Sequence, residues 1–94
     1  MSRLKLELLA AGGAPDSQEI VTITTIGPNG EQGIVVEGNE ALGTAGVSKA
    51  CAEAVMLIET IRPALREKLG REPNGEELLV ALQGSDHGPR LRKV

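Results

Sequence analysis

The sequence predicts an α+β domain: a small antiparallel three-stranded sheet in β-β-β-α-α order, one long amphipathic helix packed on one face, and a short second helix. Three observations carry the prediction. Alternating and β-branched runs are confined to the first part of the chain. The apolar period changes from two to 3.6 residues at Val47. A capping pattern at Asn74 opens a further helical run.

In the first strand Leu4, Leu6 and Leu8 alternate with Lys5 and Glu7, the mark of a half-buried strand. Residues 11–18 (A-G-G-A-P-D-S-Q) are loop-forming throughout. Ile20 to Ile26 reads I-V-T-I-T-T-I, a second strand, because β-branched side chains fit a pleated surface. Gly27-Pro28-Asn29-Gly30 then supplies a turn, and Gln32 to Glu37 a third strand that closes an antiparallel hairpin with the second.

Val47, Cys51, Ala54, Ile58, Ile61 and Leu65 fall on one helical stripe, widened by Ala50, Leu57 and Ala64. Pro63 removes one main-chain donor, so the helix either kinks there or restarts with Pro in its first turn. Gly70 is placed to cap its C-terminus. Asn74 followed by Glu77 forms a capping box for a helix from Gly75 to Gln83, with a strand over Leu78–Leu82 as the alternative. One domain is expected over residues 1–84, and residues 85–94 read as a basic, flexible tail or a final edge segment.

Composition narrows the function. The 94 residues include no Phe, Tyr or Trp, although aromatic side chains usually dominate small cores. A chain of this size buries only about 60–65% of its unfolded surface. Self-association would hide more apolar area, so a homo-oligomer is expected. A net charge of −3 argues against nucleic acid as a partner, apart from the short basic run Arg90-Leu91-Arg92-Lys93. The single cysteine suits a reducing cytoplasm. No apolar run is expected to approach the ~18 residues of a membrane span, and Met1 to Glu7 lacks the apolar core of a signal peptide. One Cys and one His fall short of a metal site, and no cofactor motif is complete.

The chemistry-bearing candidates gather in E-G-N-E-A-L-G-T-A-G-V-S-K-A-C, residues 37–51. Gly38 and Gly43 have the spacing that opens a phosphate-binding loop, but Thr44 and Ala45 stand where its Lys and hydroxyl residue belong. The glycines therefore read first as permitting a turn and close packing of helix on sheet. A small-ligand site at Gly38, Asn39, Gly43, Thr44, Gly46 and Ser48 is an alternative. With Ser48 as N-cap, Cys51 would lie in the first helical turn, where exposed N–H groups activate a thiol. Its register with Val47, Ala54 and Ile58 favours instead a small apolar residue facing the sheet. His87 is the one histidine available as a base, and Asp16, Ser17 and His87 form only a nominal triad.

The succession of a strand, Gly38, Asn39, Gly43, Gly46, Cys51 and Ala52 into an apolar helix resembles the ribosomal-processing cysteine protease family. The resemblance covers about residues 20–62 and implies a similar opening hairpin. It also implies a peptidase that trims the N-terminal extension of a bacterial ribosomal protein, with Cys51 as nucleophile. Asn39 occupies the position of that family's catalytic His, and an amide cannot take a proton from a thiol at neutral pH. His87 or a partner's residue would have to serve as base. The segment L-G-R-E-P-N-G-E-E-L is similar to an inter-helix connector of bacterial sigma factors, a similarity made of helix-stop and helix-start signals. Weighed together, these features predict a non-enzymatic module that associates with itself or with another protein. The alternatives are a Cys51 peptidase-like domain and a small-ligand binder at Gly38–Gly46.

Overall fold

The computed structural model describes residues 4–10, 18–28, 32–86 and 88–94. Strands β1 (Lys5–Leu9), β2 (Glu19–Ile26), β3 (Gly33–Gly38) and β4 (Leu91–Lys93) form one sheet in the order β3-β2-β1-β4. Every neighbouring pair is antiparallel. Helices α1 (Gly43–Leu69) and α2 (Gly75–Gln83) follow β3 in the chain. The α+β class and the β2–β3 hairpin are as the sequence predicts.

The sheet has four strands rather than three. The fourth comes from the segment read as a tail or edge segment, and its signal is weak because L-R-K is short and mostly basic. Tertiary contacts make it a strand: Leu91 is buried, and Arg92 pairs across the ladder with Glu7 at 2.9 Å. The loop at residues 11–17, the turn residues Asn29 and Gly30, and His87 lie outside the described residues.

Alternation places Leu6, Leu8, Val21 and Ile23 on the inner face of the sheet, where all four are fully buried. Thr25 shares that face, and its hydroxyl accepts from Leu4 N at 2.9 Å, so this buried polar group has its partner. A register irregularity between Leu8 and Leu9 marks a bulge. Beside it the Arg90 guanidinium donates to the Leu9 carbonyl at 3.0 Å and to Glu53 Oε1, tying the sheet to α1.

The two helices share the core unequally. In 27 residues α1 buries only Ala50, Ala54 and Ile58. In nine residues α2 buries Leu78, Leu79 and Leu82. The short helix is therefore a principal core element and not an accessory. Its capping box is complete: Asn74 Oδ1 accepts from Glu77 N at 2.8 Å, and Glu77 Oε1 accepts from Asn74 N at 2.9 Å. The helix excludes the strand alternative for Leu78–Leu82.

Helix α1 runs unbroken through Pro63 and ends at Gly70, whose left-handed φ of 74° completes the predicted cap. With its preceding 3-10 turn (Glu40–Leu42) it is long and apolar enough, by length and composition, to cross a membrane. Residue counting along uninterrupted apolar runs misses this, because Lys49 and Glu53 are only isolated charges. Core helices of soluble proteins meet the same test.

Candidate functional site

The glycine-bearing connection from β3 to α1 is a corner held by its own polar groups. Asn39 N donates to the Ile20 carbonyl at 3.0 Å, continuing the β2–β3 ladder by one residue. Its Nδ2 donates to the Glu19 carbonyl at 3.0 Å, and its Oδ1 accepts from Ala41 N at 3.0 Å. Asn39 thus caps the 3-10 turn and fastens it to β2. An Asn just past a strand and before a helix is a capping signal, and this role was readable in the sequence beside the catalytic one.

The glycines divide the remaining work. A Cβ at Gly38 would lie 2.6 Å from Val47 Cγ1 and 3.2 Å from Cys51 Sγ, so bare backbone is what lets α1 meet the end of β3. Gly43 has φ 75°, a conformation that a side chain disfavours, at the passage from the 3-10 turn into α1. At Gly46 a Cβ would fall 2.8 Å from Leu42 Cβ. Close packing and turning therefore account for all three.

Cys51 differs from the expectation of a helix-start thiol. The helix begins at Gly43 with Leu42 as a cap that makes no side-chain bond, so Ser48 is not the N-cap. Cys51 lies about two turns inside, beyond reach of the unsatisfied N–H groups of the first turn. It is half-buried, with its sulfur against Gly38. Helix formation starts early because Gly38, Asn39 and the 3-10 turn deliver the chain already wound, which overrides the low helix propensity of Gly43 and Gly46.

The structure brings Gly38 and Cys51 together. It commits the Asn39 side chain to two main-chain groups, and Thr44 and Ser48 are exposed. Among the described residues no group of three or more His, Cys, Asp or Glu is arranged to hold a metal ion. Beside the corner lies a cleft of about 350 Å³, bordered by Ile20, Leu42, Gly46, Lys49, Glu53 and Arg90. Of the residues proposed for ligand binding, only Gly46 borders it. Its charged rim comes from α1 and from the residue before β4, positions that no local motif identifies.

A second set of features lies away from this corner. Ile26, Val35 and Val55 are exposed on the β3 side, and Met56 and Val80 on the helical layer. A cleft of about 200 Å³ runs between β3 and α1, lined by Ile34, Val36, Val55 and Ile58 with Glu59 and Arg62 at its rim. Isolated apolar residues such as these are common on any surface, but here they recur on adjoining elements. Comparison with protein-family models, curated proteins and solved structures finds no match.

Proposed function

We propose that this chain is a non-enzymatic protein–protein association module that works as a homo-oligomer. One observation carries the reading: folding leaves large apolar side chains uncovered on both layers, with Met56 at 69%, Val80 at 55% and Val55 at 47% exposure on the helices and Val35 at 39% on the sheet. A small core without aromatics has little apolar area in reserve, and contact with a second copy would recover part of it. The absence of a helix-start thiol and the structural use of Asn39 both favour association over peptidase chemistry. The cleft beside Gly46 supports a small-ligand site as the second reading, with Lys49 adding a positive charge to a rim on which Arg90 is already paired with Glu53.

The test is sedimentation equilibrium across the micromolar range, joined to thermal melts at the same concentrations. The expected result is a mass above that of the monomer and a melting temperature that rises with concentration, because association with the folded state stabilises it. A monomer mass with a concentration-independent melt overturns the proposal.

A further inference from the structure

We infer that the self-association surface is the open edge of β3, which pairs antiparallel with β3 of a second copy about a two-fold axis at Val35. This inference rests on the homo-oligomer reading and adds the surface and its register.

Main-chain direction comes first. Asn39 N donates to the Ile20 carbonyl in the same register that sets Val21 opposite Gly38. Hydrogen-bonded and non-hydrogen-bonded pairs alternate along an antiparallel ladder. Residues 33, 35 and 37 therefore spend their peptide groups on β2, and those of Ile34 and Val36 point out of the sheet. No hydrogen bond to those outward groups occurs among the described residues. The strand has six residues, about 20 Å of template, without Pro, Lys or a bulge to blunt it.

Self-complementarity selects the partner and the register. With the axis at Val35, Ile34 exchanges both main-chain bonds with the partner's Val36, and the reverse follows by symmetry. Val35, 39% exposed on the outer face, meets the partner's Val35 as a close aliphatic pair. Glu37 then lies opposite the partner's Gly33, so no like charges face each other. An axis one residue further on would set Val35 against the carboxylate of the partner's Glu37. On the inner face, the Ile34 and Val36 side chains and the exposed Val55 of α1 extend the apolar strip into the second layer. A second copy supplies the same strip in the opposite direction, which is what a two-fold interface requires.

The experiment uses the full chain. Sedimentation equilibrium is run on the wild type and on Val35→Lys, which faces two ammonium groups across the axis and leaves the inner face intact. Val35→Cys and Glu37→Cys, each in a Cys51→Ala background, are oxidised under mild conditions. A non-hydrogen-bonded antiparallel pair holds Cα atoms about 4.5 Å apart, within disulfide range. The expected results are a wild-type dimer, association weakened about tenfold or more by Val35→Lys with an unchanged circular dichroism spectrum, and rapid crosslinking at position 35 but not 37. A wild type that is oligomeric, resists Val35→Lys and does not crosslink at 35 overturns the edge assignment alone. A monomeric wild type overturns the homo-oligomer reading with it. Should Val35→Lys unfold, the crosslinking contrast decides.

Discussion

The two edges of the sheet are built in opposite ways. The β4 edge has three residues, two of them basic, and is fastened from behind by the buried Leu91, the Arg90 contacts to Leu9 and Glu53, and the Glu7–Arg92 pair. The β3 edge has six residues and a single charge, Glu37, and leans on α1 through a glycine. Short length and cationic side chains are how natural sheets discourage edge-to-edge pairing. One edge is closed by that chemistry and the other is not. The lesson is that an edge strand's surroundings, more than its strand propensity, decide whether it ends a sheet or continues one.

The largest expected effect tests what holds β4. Leu91 is its one buried side chain, at 8% exposure. Leu91→Ala should destabilise the protein by about 2–3 kcal/mol, at the low end of the range for buried leucines because the site lies at an edge. Hydrogen–deuterium exchange should show lost protection at Arg92 and Val94 and at Lys5 and Glu7, whose main-chain groups pair across the β1–β4 ladder. Protection in β3 should be unchanged. Equal loss in both edges would mean that they are not independently held, and the comparison would fail.

A smaller effect is expected at the β3 end. Gly38→Ala inserts a Cβ into the space taken by Val47 Cγ1 and pushes α1 away from the strand. Overpacking of this kind costs about 1–3 kcal/mol, which lowers the melting temperature by about 4–8 °C per kcal/mol in a domain of this size. Val47→Ala removes the atom at 2.6 Å and should restore about half of the loss, the remainder reflecting Cys51 Sγ and Val47 Cβ at 3.2 Å. If Gly38→Ala is neutral, close approach is not why glycine stands there, and the ligand reading of the corner gains ground.

Much of this was legible where local chemistry decides. The I-V-T-I-T-T-I run, the Asn74–Glu77 box and Gly70 each specify their structure within a few residues, and each forms as expected. The weak points are those decided by distant partners. β4 exists because residues far away in sequence give Leu91 a place to be buried. The early start of α1 depends on Asn39 bonding back to β2. The dominance of α2 in the core follows from the small Ala50 and Ala54 on α1, a stripe whose periodicity is clear but whose buried share is not. At the corner, the packing role of the glycines was readable from their position between strand and helix. The position of Cys51 was not, since it depends on where the helix starts.

Acid supplies the finest discrimination between the edges, through two carboxylates. The Glu7 carboxyl is held below its ordinary value of 4.5, chiefly by its hydrogen bond from Arg92. The Glu77 carboxyl is lowered to about 2, first by Arg71 and then by the Asn74 main-chain N–H. A group with a lowered folded value contributes its stability above the unfolded value, and loses it as pH falls from about 4.5 through the folded value. Both carboxylates are partly buried but their arginine partners are open to solvent, so each effect is small. Between pH 4.5 and 2 the β4 strand should therefore lose exchange protection as Glu7 is protonated, and the start of α2 should fray at the lower end as Glu77 follows. Among the described residues no ion pair crosses the β3 ladder, which should keep its protection relative to the rest. Glu7→Gln should remove the pH dependence at β4 alone, and Glu77→Gln that at α2 alone. An acid-induced loss at β3 that precedes the loss at β4 would reverse the assignment of which edge charge holds in place.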